Sequence, residues 1–531
     1  MDSIFWADQV AKQVVEREKN LGRVKVFRTE MGLGASGIPH VGSTGDGIRS
    51  FVVNLALKEL GVKSEFIAFS DDKDGLRKVP VGFPVSEDDI GKPVSNIQDP
   101  FGCHSSMALH IGQLLTDAFD RLGVEFKLLR AHEEYAKGTF DKQIITALKN
   151  AKRCGEIIRE TTGQEKYLTQ LPYMAICSEC GRIYTTRAYR FDENENKIYY
   201  KCDQSFIGKS SATGKNIEVS GCGHDGVCGL RDGKLSWKVE FGARWDALKI
   251  TYEAYGKDIL DSVRCNDRIS KEIFGWEPPV HSFYELFTER SGKKISKSAG
   301  NVFTPARWMK YASPASLRLL FLKRLATSRV VDPDAIPAYM DEVDELEKIY
   351  FSRATVANPK ELEHQKRLFE YVNFLKPPKE SNAAVPYNLL VRLMRISKNK
   401  EVVKSILKRT GHVSKELGND ERELDERLEY ATNWINDTEP EERIVYSLSD
   451  QQKSSIKKLI HELESKDWDE TDLYSRLYAI PKEDNIELGK FFEAAYVLLL
   501  NSLRGPRLAQ FICAVGCEKA ASIMKSRLDE F

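Results

Sequence analysis

The segment Ser36-Gly37-Ile38-Pro39-His40-Val41-Gly42-Ser43 sets one histidine among small residues, just after a short apolar stretch and just before a helix-forming one. Such a bend lets backbone approach a nucleotide closely, and the positive end of the following helix suits phosphate groups. His40 can donate a hydrogen bond to a phosphate oxygen as charge builds there in an in-line displacement. Taken alone, the stretch also fits a glycine-rich turn around a packed histidine. Far along the chain, Gly292-Lys293-Lys294-Ile295-Ser296-Lys297-Ser298-Ala299-Gly300-Asn301 mixes lysine with serine and glycine. Lys294 and Lys297 suit a triphosphate, because ammonium groups neutralise the charge passing to leaving pyrophosphate and such a loop can close and open.

Two further patterns bear on chemistry. Gly32-Leu33-Gly34-Ala35-Ser36-Gly37 matches the GxGxxG of dinucleotide-binding proteins, which makes an oxidoreductase a second reading but leaves the lysine-serine loop without a role. Five of the ten cysteines lie between Cys177 and Cys228, beginning with the knuckle Cys177-Ser178-Glu179-Cys180. One cysteine-dense patch in a large chain is better explained by a metal than by a disulfide framework. Cys177, Cys180, Cys202 and Cys222 form a closed four-thiolate set for structural zinc, with His224 or Cys228 as substitutes for one member. A zinc-dependent RNA-binding protein without catalysis would explain this patch and nothing else.

The elements that must hold these residues follow from periodicity. Val24, Val26 and Phe27 predict a short strand, Gly32 to Gly47 a bend, and Ile48, Phe51, Val52, Leu55, Ala56 and Leu60 a helix stopped by Gly61. A strand over 65–69, a helix from Met107 to Leu122 and a strand over 124–129 continue the alternation, which predicts a doubly wound parallel sheet. The expected organisation is an α/β, Rossmann-type catalytic domain in two parts, 1–160 and 236–311, split by a Cys-rich insertion over 161–235. An all-helical region follows over 312–531.

Composition narrows the function classes. At 531 residues the chain is long enough for several domains, and its 41% hydrophobic and 30% charged content is that of a folded protein. Lys+Arg and Asp+Glu both total 79, so the global polycation signal of an RNA-coating protein is missing and nucleic-acid contacts must be local. The longest apolar run, Ala494 to Leu500, is far short of a membrane span, and the first residues do not read as a signal peptide. A cytoplasmic protein is expected.

The bend at His40 and the Lys294 to Ser298 loop, at opposite ends of one α/β domain, together resemble the HIGH and KMSKS signatures of class I aminoacyl-tRNA synthetases. Within that class the chain is similar, over nearly its whole length, to the class I lysyl-tRNA synthetases. The resemblance runs through Asp71-Asp72-x-Asp74-x-x-Arg77-Lys78-Val79-Pro80, Asp99-Pro100-Phe101-Gly102-Cys103-His104-Ser105, Trp237-Lys238-Val239-Glu240 with Arg244-Trp245, Gly256-Lys257-Asp258, and Gly505-Pro506-Arg507-Leu508. It departs at Gly34, Ala35 and Ser43, and at Ile259, where the family has a histidine that helps line the amino-acid site.

The resemblance implies ATP-dependent activation of L-lysine, with Mg²⁺ supplied alongside ATP, and transfer to the terminal adenosine of lysine tRNA, by a chain expected to act as a monomer. It implies His40, Lys294 and Lys297 in catalysis. ATP would meet Ser36, Gly37, His40, Gly42, Ser43, Gly256, Asp258, Ile295, Ser296, Lys297 and Ser298. Related glutamate enzymes place an arginine ten residues before the signature histidine, and here that position is Glu30, the sign a cationic substrate requires. Gly32 and Gly34 would floor the pocket, Trp237 and Tyr252 would pack on the aliphatic stem, and Asp71 or Glu253 would supply a second carboxylate. A glutamate or glutamine enzyme of the same subclass is the alternative.

Overall fold

The computed structural model describes residues 5–35, 37–80, 82–210, 214–288, 303–325, 327–381, 385–409, 411–413, 420–438, 446–500, 503, 505 and 507–528. Five parallel strands, β1 (Phe27–Leu33), β2 (Ser64–Ser70), β3 (Lys127–Arg130), β4 (Tyr252–Gly256) and β5 (Val280–Tyr284), form the central sheet in the order β5-β4-β1-β2-β3. The chain order reverses between β1 and β4, and in such sheets ligands bind outside the carboxyl ends of the strands at that point. The helices that cover the sheet include α1 (Trp6–Leu21), α2 (Val41–Glu59), α3 (Met107–Leu122), α4 (Trp237–Leu248) and α5 (Leu260–Glu272).

The first βα unit is tighter than periodicity suggests. β1 continues to Leu33, so Glu30 and Gly32 lie inside the strand, and α2 begins already at Val41. Three glycines expected in the bend are therefore helical. Gly47 shows why: a Cβ there would stand 2.3 Å from Phe119 Cζ and 2.7 Å from Met31 Sδ, so only glycine lets α2 lie this close to β1 and α3.

Between β3 and β4 the chain forms a small antiparallel region. Strands Arg187–Asp192, Lys197–Lys201 and Asp225–Cys228 make one sheet, Ser205–Lys209 pairs with Asn216–Ser220, and Tyr173–Ala175 pairs with Gly233–Leu235.

The fold divides into two compact units, Met1–Trp308 with Pro314–Asp332 and Ser352–Pro377, and Met309–Ser313 with Pro333–Phe351 and Pro378–Phe531. The helical region expected over 312–531 thus does not form one body. Helices Pro314–Leu322 and Pro359–Val372 belong to the first unit, where Tyr371 stacks on Phe5 at 4.7 Å, Phe374 meets Phe51 edge-on at 4.9 Å, and Arg367 pairs with Asp8 at 2.8 Å. Among the described residues of the second unit all regular elements are helical. Its apolar core includes Ile456, Leu459, Leu473, Phe491, Leu498 and Ile512. Trp434 is buried there and donates to the Pro333 carbonyl at 2.7 Å.

Candidate active site

His40 caps α2. Its Nδ1 accepts the Ser43 backbone N–H at 3.2 Å, and Ser43 Oγ accepts the His40 N–H at 3.1 Å, so the two residues satisfy each other across the first turn. In the neutral ring this places the proton on Nε2, which makes that nitrogen the donor. Gly42 is required by the same geometry, since a Cβ would stand 2.7 Å from His40 Cε1. Gly37 lies in the bend before the helix, and Ser36 lies outside the described residues. Gly256 ends β4, beside β1 in the sheet, and Asp258 follows in a short turn. Gly256 thus ends the strand that lies beside β1, which leads into the His40 bend. Lys294, Ile295, Ser296, Lys297 and Ser298 lie outside the described residues.

Glu30 is fully buried in the middle of β1, and its partner is a protein side chain: Arg244 Nε is 2.5 Å from Glu30 Oε1. The same guanidinium lies 3.0 Å from Asp71 Oδ1 and 3.6 Å from Glu253 Oε1. Gly32 borders this cluster, with its Cβ position 3.4 Å from Arg244 Nη2 and 3.6 Å from Asp71 Oδ2. Next to it, the buried Lys234 ammonium bridges Asp74 at 2.5 Å and Glu240 at 2.6 Å, and Glu240 accepts from Tyr135 at 2.8 Å. Five carboxyl groups thus face Arg244 and Lys234, so the cluster holds more acids than bases.

Burial raises the Glu30 carboxyl well above its ordinary range, against the pull of Arg244. Asp71 is pushed up to about 7, again by burial, with Arg244 and Lys234 opposing and Asp74 and Glu240 reinforcing. Arg244 was quoted in the resemblance but given no role. Its partners come from β1, β4 and the residue just past the end of β2, which no local spacing reveals.

Tyr252 is not part of this cluster. Glu30 is opposite Glu253 and Thr29 opposite Tyr252 in the register of β1 and β4, and successive side chains alternate faces, so Tyr252 lies on the other face of the sheet, toward Arg49 of α2. Trp237 stands one ring away, 4.9 Å from Phe241, whose ring lies 5.0 Å from Arg244 Cζ. Gly34 follows the end of β1. Ile259, at the family's histidine position, packs against the apolar cluster of Phe241, Tyr255 and Trp276.

Cys177, Cys180, Cys202 and Cys222 come together with all four sulfurs within 4.8 Å of one another. The Cys177–Cys222 and Cys180–Cys202 separations of 3.6 and 3.7 Å fit the edge of a thiolate tetrahedron, about 3.8 Å for Zn–S bonds of about 2.3 Å. His224 instead bonds Ser178 Oγ at 3.0 Å, and neither it nor Cys228 joins the set. A second group that could hold a metal, Asp99, Cys103, His104 and His110, was missed as such. Cys103 Sγ lies 3.2 Å from Asp99 Oδ2, 3.1 Å from His104 Nδ1 and 3.2 Å from His110 Nδ1. The short spacing of its four members was the available signal.

Comparison with known proteins places this geometry in a family. The family described as tRNA synthetases class I (K) matches residues 4–374. A lysine--tRNA ligase of Cenarchaeum symbiosum (strain A) is 40% identical over 98% of both chains, and one of Rickettsia bellii (strain RML369-C) is 30% identical over 98% of both. A solved glutamate-tRNA synthetase from Elizabethkingia anophelis, 14% identical, covers 95% of this chain and is covered over 99% of its own, with a TM-score of 0.43. The chain belongs to the class I tRNA synthetases, and the GxGxxG match carries no oxidoreductase. No helix among the described residues is long and apolar enough to cross a membrane.

Proposed function

We infer that the chain is a lysine--tRNA ligase, which activates L-lysine with ATP to lysyl-adenylate and passes it to the 3′ terminal adenosine of lysine tRNA. The observation that carries the amino acid is the charge of the buried cluster at β1, β2 and β4. Glu30, Asp71, Asp74, Glu240 and Glu253 exceed Arg244 and Lys234 in number, and a substrate with an extra ammonium supplies what they lack. A glutamate substrate would add a further carboxylate to a site already in surplus, which disfavours the glutamate reading. The full-length relatives carry the same activity in their names.

In this reading lysine neutralises Asp71 and its neighbours, and ATP lies across the carboxyl ends of β1 and β4. His40 donates from Nε2 to a phosphate oxygen as lysine carboxylate attacks, with Mg²⁺ and Lys294 and Lys297 on the pyrophosphate side. The four cysteines hold structural zinc, which cross-links the inserted strands and leaves no open coordination position. A monomer working in the cytoplasm, where tRNA, lysine and ATP meet, completes the proposal. The deciding experiment is amino-acid-dependent exchange of pyrophosphate into ATP, run with each of the twenty amino acids. Exchange with lysine alone is expected, and exchange with glutamate would overturn the assignment.

A further inference from the structure

Two neighbouring strands end in step, and the residues just beyond them meet. Ser70 of β2 is opposite Arg130 of β3, and two residues further on Asp72 engages His132 with both carboxylate oxygens. Oδ1 accepts the His132 backbone N–H at 2.8 Å, and Oδ2 lies 2.7 Å from His132 Nδ1. The Asp72 side chain is sealed from solvent, while that of His132 keeps 33% of its surface exposed. Among the described residues His132 Nε2 has no hydrogen-bond partner.

A carboxylate at Nδ1 fixes the ring proton there, so in the neutral imidazole Nε2 carries the lone pair. His40 is the reverse case, since its Nδ1 accepts a backbone N–H and its proton stays on Nε2. The chain thus sets a proton donor beyond β1 and a proton acceptor beyond β3, both past the carboxyl ends of parallel strands, where ligands bind. The acceptor is tied to the carboxyl cluster through both of its elements. Asp72 follows Asp71, whose Oδ1 lies 3.0 Å from Arg244 Nη1. His132 stands in the first turn of the helix Ala131–Lys137, whose Tyr135 donates to Glu240 at 2.8 Å and accepts the Leu235 N–H at 3.0 Å.

We propose that His132 Nε2 is the base of the transfer step and takes the proton of the ribose hydroxyl of the terminal adenosine. The hydroxyl oxygen bonds the lysyl carbonyl carbon, the bond from that carbon to the phosphate oxygen of AMP breaks, and AMP leaves with the electron pair. The hydroxyl proton passes to Nε2, Asp72 stabilises the imidazolium, and the proton then returns to solvent. The proposal rests on the ligase reading above and adds a residue for its second half, a step in which none of the residues assigned there receives a proton.

The test uses the full-length protein, loaded with lysine and ATP, mixed with saturating lysine tRNA and quenched within a single turnover. His132→Gln, which stays polar but cannot take the proton, should slow transfer roughly 10²-fold or more, the range for general-base catalysis, while lysine-dependent pyrophosphate exchange stays within about twofold. The Asp72 hydrogen bond holds the imidazole above its ordinary range against partial burial, with Glu133 reinforcing and Arg130 opposing. Lys73, the residue after Asp72, donates instead to the Arg231 carbonyl at 2.6 Å. Transfer should therefore rise with pH as Nε2 loses its proton and then level off, and Asp72→Asn should move that rise to lower pH. Imidazole added in solution should restore part of the transfer in His132→Ala, a rescue that no structural role produces. Transfer by His132→Gln at the wild-type rate, a defect in tRNA affinity alone, or a parallel fall in exchange overturns the assignment. Absence of lysine-dependent exchange in the wild type overturns the ligase reading itself.

Discussion

Arg244 Nε and Glu30 Oε1 lie 2.5 Å apart with both side chains sealed from solvent, so the carboxylate expected to read the substrate is also half of a buried ion pair. Orphaning a buried charge costs about 3–5 kcal/mol, but Arg244 keeps Asp71 and Glu253 when Glu30 is gone, so Glu30→Ala should lower the unfolding free energy by clearly less than that in urea titration. Glu30→Gln, which keeps the shape and removes the charge, should lose less stability and raise KM for lysine much more than KM for ATP. Equal changes in the two constants would remove Glu30 from the lysine site.

Asp71, pushed up to about 7 by burial, is largely neutral below that pH in the ligand-free protein. An arriving ammonium favours the carboxylate, so lysine binding should release a proton, and affinity should rise with pH between about 6 and 8 before levelling off. Arg244 and Lys234 oppose this shift, and Asp74 and Glu240 reinforce it. Calorimetry at pH 6.5 in two buffers of different ionisation enthalpy measures the released proton directly. Asp71→Asn should flatten the pH dependence.

His40 and Gly42 are tied by sterics, because a Cβ at Gly42 would stand 2.7 Å from the imidazole. Gly42→Ala should turn the ring off its phosphate and mimic His40→Ala, with exchange falling roughly 10²-fold while lysine affinity holds. Lys297→Ala should lower exchange by roughly 10²–10³-fold, the range for one oriented charge-stabilising group. Single-turnover adenylate formation with each variant separates these effects from product release.

Metal content offers an independent check. Protein purified without chelator should carry zinc at the four-thiolate set, and Cys180→Ser should lose one equivalent by elemental analysis and destabilise the insertion before it alters ATP affinity. Retention of full zinc by Cys180→Ser would exclude this set as the site.

How far the sequence foretold this arrangement differed from part to part. His40, Gly42 and Ser43 are close neighbours and Cys177 and Cys180 share a knuckle, so their grouping is legible from spacing, and Cys202 and Cys222 join them only by composition. The start of α2 was not, because Gly42, Gly45 and Gly47 look like bend residues until the neighbours that forbid a Cβ are known. Arg244 was hidden for a different reason: it meets Asp71 across 173 residues of chain, and burial supplies its importance. Tyr252 shows the converse, for it was expected to pack on the lysine stem with Glu253 as a candidate carboxylate, and alternation along the strand sends the two to opposite faces.

The stacking of Tyr371 on Phe5 has a consequence for the birth of the protein. A ribosome adding about 5–20 residues per second needs roughly 20–70 s to travel from one of these residues to the other. Through that interval α1 and the Phe51 face of α2 wait for partners that have not been made, with apolar surface bare in a crowded cell. The first unit cannot close as it emerges, and its completion falls late in synthesis, when the chain has already begun the helices of the second.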